Sequence, residues 1–188
     1  INNKVLIADY EHGILEYKNN KIVPFPGGKY FCKKLIYDIL PYDTKLLIKT
    51  HGQTGFLIVD GDEIQTLNTE ADHFIEENSF SSAIILKNGY YVVGTKRCGF
   101  VVFDSNGKVL LNVNKQNGLI NDEINAMYCD QSNGLWIASN NGLARIEIPS
   151  AFTFFNRNDG IRGGCSSICR FEENLYIATN QGVFYIPA

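Results

Sequence analysis

The sequence lacks a long apolar run: none of its hydrophobic segments approaches the roughly 20 residues needed to cross a bilayer. It also lacks a basic surplus. Its 188 residues carry a net charge of −3, which argues against the concentrated basic face that nucleic acid requires. There is no Cys-x-x-Cys, and the cysteines (Cys32, Cys98, Cys129, Cys165 and Cys169) are odd in number. Neither a zinc knuckle nor a disulfide framework is indicated. Most of these residues read as reduced, partly buried apolar groups, with a Cys165–Cys169 disulfide as the minor alternative. No nucleotide-binding or phosphoacceptor motif is present. Ile1 leads almost directly into an apolar run, so no signal peptide opens the chain, and the expectation is that it begins inside a repeat. The apolar residues show no period near 3.6, which excludes a helical solenoid.

What is present is a repeat. Leu135-Trp136-Ile137-Ala138-Ser139, followed by Gly142, has counterparts in Val5–Asp9 before Gly13, Leu46–Thr50 before Gly55, Tyr91–Thr95 before Gly99 and Leu175–Thr179 before Gly182. The glycines are spaced by 42, 44, 43 and 40 residues, and each precedes another apolar run. Turn signals such as Asn88-Gly89 and Asn133-Gly134 separate the runs, because Asn-Gly supplies the positive φ that tight hairpins need. Four short strands per unit of about 40–45 residues is the spacing of propeller blades.

The expected fold is therefore all-β: a partial β-propeller of four to five four-stranded antiparallel blades, cut from a larger ring. Its blade units span roughly 1–25, 26–67, 68–113, 114–156 and 157–188. The first unit lacks an innermost strand A and the last lacks an outermost strand D. Strand A is expected at Lys34–Leu40, Ala83–Lys87, Ile124–Met127 and Ser167–Phe171, with Phe152–Asn156 as the fourth strand D. One helical turn is expected, at Thr69–Glu77. Strand B is apolar at nearly every position, as suits a sheet covered on both faces. Its fourth position is small in Ala8, Gly94, Ala138 and Ala178, and Lys49 breaks that rule. Trp136, inside an apolar strand, reads as a buried packing residue. Asp130 reads as the cap of its turn. Asp9, Thr50, Thr95, Ser139 and Thr179 form a column expected to hydrogen-bond the following turn.

The best-preserved copy resembles the two-component regulator propeller repeat. The residues that carry the resemblance are Gly118, Leu119, Ile124, Asp130, Gly134, Leu135, Trp136, Ile137, Ala138, Ser139, Gly142, Leu143 and Arg145. The fifth copy has Tyr176 in place of the tryptophan, and the first three have drifted to Leu6, Leu47 and Val92. The resemblance implies a setting: the periplasmic sensor region of a bacterial hybrid two-component system, of the kind found in gut Bacteroidetes that use polysaccharides. Such a region precedes a β-sandwich domain, a membrane helix and a histidine kinase. Kinase chemistry would belong to that parent protein.

Functional residues are sought in loops held by a rigid scaffold. The loops between strands B and C, and between strand D and the next strand A, leave a propeller on one face. The ligand-binding candidates on that face are His12, His51, Gln53, Lys96, Arg97, Asn140, Asn141, Arg157, Asn180 and Gln181, whose amide and basic groups suit hydroxyl-rich or anionic ligands. His12, His51 and Cys98 lie in equivalent loops, but no local ligand spacing supports a metal, and neither a metal nor a cofactor is expected. No Ser/His/Asp or paired-carboxylate constellation recurs. The expected role is non-catalytic. It is binding of an oligosaccharide or other small extracellular ligand, with adjacent blades and a homodimer partner as protein partners and no nucleic acid or membrane contact. The alternatives are a dimerisation scaffold and a propeller lyase or hydrolase.

Overall fold

Strands that alternate two apolar sets, one for each face, can be packed from both sides at once. That arrangement organises this chain. The computed structural model describes residues 4–148, 160–172 and 174–187. They fall in two compact units, Ile1–Ile148 and Pro149–Ala188. All strand pairs are antiparallel.

The first unit holds four sheets, each a meander in chain order. Sheet I is β1 (Val5–Asp9), β2 (Gly13–Lys18) and β3 (Lys21–Pro24). Sheet II is β4 (Ile36–Tyr42), β5 (Lys45–Thr50), β6 (Phe56–Asp60) and β7 (Glu63–Leu67). Sheet III is β8 (Phe80–Ile85), β9 (Tyr91–Thr95), β10 (Phe100–Phe103) and β11 (Val109–Val113). Sheet IV is β12 (Ile124–Cys129), β13 (Gly134–Ser139) and β14 (Gly142–Glu147). The second unit holds sheet V: β15 (Cys165–Phe171), β16 (Asn174–Thr179) and β17 (Gly182–Pro187). The expected fourth strand of sheet IV, Phe152–Asn156, lies outside the described residues.

Within the first unit a separate core lies between each pair of consecutive sheets. Ile14, Phe31, Leu46, Ile48, Leu57 and Val59 fill the space between sheets I and II. Leu47, Phe56, Tyr91, Val93, Val101 and Phe103 fill that between II and III. Val92, Phe100, Val102, Ile124, Leu135 and Ile137 fill that between III and IV. Alternate residues of β9 and β10 therefore serve opposite cores, which explains apolar runs without polar alternation. Each buried side chain of this size contributes roughly 1.5–3 kcal/mol. This is the blade packing of a propeller, and the chain is all-β with propeller-type blades. Among the described residues no helix is long and apolar enough to cross a membrane.

The small fourth position of strand B has a direct cause in sheet III. A Cβ built on Gly94 would lie 2.7 Å from Cγ2 of Ile124 in the next sheet. The repeat glycines are needed for a second reason. Gly13, Gly55 and Gly99 have φ of +80°, +72° and +71°, and a Cβ there would lie 2.1, 2.6 and 2.0 Å from the carbonyl oxygens of Gly28, Leu67 and Val113. Gly142 and Gly182 share the positive φ, but no atom crowds them within 4 Å.

Among the described residues two helical pieces occur. Helix α1 spans Asp72–Asn78, shifted from the expected Thr69–Glu77 because Thr69 serves as its lead-in: its N–H and hydroxyl both donate to the Asp72 carboxylate, at 2.9 and 2.7 Å. A short 3-10 turn at Gly28–Phe31 was not anticipated. It follows Gly27 at φ +70° and buries Phe31 against sheet I.

Two first strands begin earlier than their apolar pattern shows: β8 opens at Phe80 rather than Ala83, and β15 at Cys165 rather than Ser167. β12 opens at Ile124 as expected, and β4 at Ile36 rather than Lys34. A register shift marks the start of all four strands, between Ile36 and Asp38, Phe80 and Ser82, Ile124 and Ala126, and Cys165 and Ser167. Each shift leaves one extra residue, a β-bulge, which breaks the alternation a sequence reading relies on.

Asp130 ties the best-preserved copy together. Its Oδ1 accepts the Ser132 and Gly134 N–H groups at 2.8 Å each, which is the expected turn cap. Its Oδ2 also accepts Trp136 Nε1 at 3.0 Å and Arg145 Nε at 2.9 Å. The Arg145 guanidinium, with these other donors, holds the Asp130 carboxyl well below the usual carboxylate range. Trp136 is half-buried rather than buried, because its indole N–H reaches the turn. A Cβ on Gly134 would lie 2.4 Å from the Arg145 guanidinium, so a side chain there would displace the flexible end of the arginine.

The two classes of repeat glycine differ in cost. Gly99→Ala combines a positive φ with a backbone collision and should destabilise the fold by about 3 kcal/mol or more, whereas Gly142→Ala meets only the conformational penalty of about 1–2 kcal/mol. Urea midpoints of the two variants, compared with the parent chain, measure the difference.

Candidate functional site

Strand B ends, and strand A begins, on the same edge of each sheet. Ile36 pairs with Thr50, Phe80 with Thr95 and Ile124 with Ser139. The two loop classes therefore meet there. Lys33 N–H donates to Tyr10 O at 2.6 Å, His51 N–H to Leu35 O at 2.8 Å, and Lys96 N–H to Ser79 O at 2.9 Å. Strands β4, β8 and β12 are neighbours along one side of the first unit, with β8 touching both others. Polar bonds join them: Ala83 N–H donates to Asp38 Oδ2 at 2.9 Å, and Ser81 Oγ donates to Ile124 O at 2.5 Å. Burial pushes the Asp38 carboxyl up.

Several expected residues converge at this rim. His51 Nδ1 lies 2.5 Å from the Tyr37 hydroxyl, and the Tyr37 ring stacks on Phe80 with centroids 5.3 Å apart and planes 14° from parallel. Lys96 Nζ donates to Ile124 O at 3.2 Å and to Asn125 Oδ1 at 3.1 Å. Asn125 Nδ2 donates to Asn140 Oδ1 at 2.7 Å, and Asn140 Nδ2 to Glu123 Oε2 at 2.6 Å. A continuous polar and aromatic rim thus runs from sheet II to sheet IV. Arg97 and Asn141 are exposed beside it. The sequence reading missed Tyr37, Phe80, Glu123 and Asn125. The first, second and fourth lie at or beside the bulges, where the broken alternation was the available signal.

Of the other candidates in the first unit, His12 and Gln53 bond away from this rim. His12 is exposed and bonded to Asp9, Nδ1 to Oδ1 at 2.7 Å. This bond, first among its contacts, holds the Asp9 carboxyl below its ordinary value. His12 borders a cleft of about 1000 Å³ beside sheets I and II, lined also by Glu11, Phe25, Lys29, Tyr30 and Asp62. The Gln53 side chain turns back on its own loop, with Nε2 donating to Thr54 O at 3.0 Å. Asn180 and Gln181 belong to the second unit, where Asn180 Oδ1 accepts Gly164 N–H at 3.0 Å and Gln181 N–H donates to Thr179 Oγ1 at 3.1 Å. Arg157 lies outside the described residues. His12, His51 and Cys98 point to separate partners: Asp9, Tyr37 and, at 4.0 Å, Asn114. Among the described residues no group of three or more His, Cys, Asp or Glu could hold a metal ion.

Outside sheet II the column at the end of strand B bonds the following turn. Thr95 Oγ1 donates to Gly99 O at 2.9 Å, Ser139 Oγ to Gly142 O and Thr179 Oγ1 to Gly182 O at 3.1 Å each. In sheet II the donor is Lys49, one residue earlier. Its buried Nζ donates to Gly55 O at 2.8 Å and Gln53 O at 2.7 Å. An ammonium thus replaces a hydroxyl at the same glycine carbonyl.

Residues 118–141 match the family model described as two component regulator propeller. Over that stretch the chain is similar to a two-component regulator propeller repeat. The matched stretch includes Asp130, Gly134 and Trp136, which form the hydrogen-bonded turn described above. Over 97% of its length the chain resembles the extracellular domain of a hybrid two component system from B. thetaiotaomicron, with 20% identity and a TM-score of 0.60. A second such domain from B. thetaiotaomicron is similar over 99% of the chain, with 19% identity and a TM-score of 0.55. Streptogramin B lyase is similar over 99%, with 11% identity and a TM-score of 0.50, and the chain covers 65% of it. The chain spans 26% of the length of each of the two extracellular domains. At these identities the likeness is one of fold. A search of curated proteins finds no match.

Burial holds the Lys49 ammonium below the ordinary lysine value of 10.5, while Asp72 and Glu76 act the other way. With the folded-state value depressed, the unfolded chain binds more protons between the two values, so this group makes stability rise with pH towards 10.5. Lys49→Met should remove that rise. The stability of the parent chain relative to the variant should grow as pH is raised from neutral into this window in chemical denaturation; a constant difference would refute the assignment.

Proposed function

We propose that this chain is a non-catalytic, ligand-binding propeller segment of a two-component signalling receptor. Its place is the periplasmic, sensing side of that receptor. The observation that carries the reading is the match of residues 118–141 to the two component regulator propeller. The likeness to extracellular domains of hybrid two component systems supports it. The ligand is an oligosaccharide, in keeping with a loop rim of amides, hydroxyls and cations. Its binding is passed towards a histidine kinase elsewhere in the parent protein. At the rim Ser81, His51 and Asp38 are bonded to the Ile124 carbonyl, the Tyr37 hydroxyl and the Ala83 N–H, and the reading does not rest on turnover.

A second reading has its own observation. Ile168, Phe171, Val183 and Tyr185 in sheet V are 61–71% exposed, a density of apolar surface suited to association with a further blade or a second copy. In that reading the segment serves as a dimerisation scaffold.

Calorimetric titration and glycan-array binding of the intact ectodomain test the first reading. The expected outcome is saturable binding of one oligosaccharide class. Saturable binding only to unrelated classes of ligand refutes it. Concentration-dependent dimerisation that is indifferent to saccharide favours the scaffold.

A further inference from the structure

The bulges that open the first strands recur in the same register, yet the residues they carry differ. The extra residue is Tyr37 in β4, Ser81 in β8, Asn125 in β12 and Ser166 in β15. A bulge takes one side chain out of the alternation that would bury it or pair it, and re-aims it. A backbone feature kept in four sheets while its occupant changes between tyrosine, serine and asparagine is a presentation device, since packing would select one type of side chain.

Tyr37 is the clearest occupant. Its ring is held by Phe80 on one face and meets His51 edge-on at 5.8 Å and 89°, and its hydroxyl is bonded to His51. It is nevertheless 46% exposed. A large aromatic that is fixed in place but left in water gains little from folding. It offers a flat surface with little conformational freedom left to lose on binding. Asn125 is the second occupant, exposed and held between Lys96 and Asn140. Beside it the Lys96 and Arg97 side chains have no carboxylate partner among the described residues, since neither takes part in an ion pair there.

We propose that the Tyr37 and Asn125 bulges are two ends of one saccharide seat, with the Lys96 and Arg97 cations receiving an acidic sugar unit. A pyranose ring would lay its C–H face on Tyr37. The next unit along the chain would set its hydroxyls against the Asn125 and Asn140 amides and its carboxylate or sulfate against the cations. The inference rests on the oligosaccharide reading above and adds the site and the charge of the ligand.

The test uses the intact ectodomain and a panel of neutral and uronate-bearing oligosaccharides, followed by calorimetry of the tightest binder. Binding should be confined to acidic members and should weaken as salt is raised. Tyr37→Ala should weaken it at least about tenfold, whereas Tyr37→Phe, which keeps the ring, should change it less than about threefold. Lys96→Ala with Arg97→Ala should abolish the salt dependence. Thermal melts matching the parent exclude misfolding as the cause. If no saccharide binds, both this site and the reading beneath it fail. If saccharides bind but the Tyr37→Ala protein binds as well as the parent, or only neutral sugars bind, the seat proposed here fails and the oligosaccharide reading stands.

Discussion

The middle strands of sheets II and III are packed from both sides, and much else in the chain follows from that requirement. A strand covered on both faces cannot alternate apolar with polar residues, so β5, β9 and β10 carry two interleaved apolar sets. Sheets stacked this way approach closely enough that Gly94 has no room for a Cβ against Ile124. The return from the second strand to the third must then be tight. A glycine with positive φ makes it so at Gly13, Gly55 and Gly99, each with its Cβ direction closed by a neighbouring carbonyl. The repeat visible in the sequence is the trace of this stacking.

Hydrogen bonds at the sheet edges show how much variation the arrangement permits. The acceptor, a glycine carbonyl, stays the same, while the donor is threonine, serine or, in sheet II, a buried lysine. Lys49 can stand where a small residue is usual because its ammonium finds two carbonyl oxygens and the field of two carboxylates. A buried ammonium without such partners would cost several kcal/mol. The same economy governs the best-preserved turn, where one carboxylate, Asp130, accepts from two backbone N–H groups, an indole and a guanidinium. Tyrosine at position 176 has no indole N–H to offer such a hub, although its ring still pairs with Tyr185 at 6.2 Å.

The strand order, the five sheets and the roles of the repeat glycines were legible in the sequence, because period and positive-φ turns are local signals. The end-of-strand column was legible too, since its residues recur in register. The starts of β8 and β15 were not. A bulge at Ser81 or Ser166 interrupts alternation, so β8 read as beginning three residues late and β15 two. The burial of Trp136 was overstated, because an apolar strand suggests a core while the indole nitrogen requires a polar neighbour. For the candidate site, His51, Lys96 and Asn140 were picked out by loop position alone. Their partners Tyr37, Phe80 and Asn125 come from strands, and no spacing in the sequence joins a residue at 37 to one at 80.

That division of labour has a physical basis. Where both faces of a sheet are buried, a change of side chain alters two cores at once, so the middle strands have little freedom to carry recognition. The outer strands are remote from the rim. What remains is the first residue or two of each innermost strand, together with the loops beside it. A bulge at that point frees one side chain without disturbing the ladder below it: β4 and β12 resume regular pairing at Asp38 and Ala126. Each sheet can then present a different group, an aromatic ring in one and an amide in another, on an unchanged frame. A chain built from such sheets can alter the groups it presents from sheet to sheet while its packing stays the same.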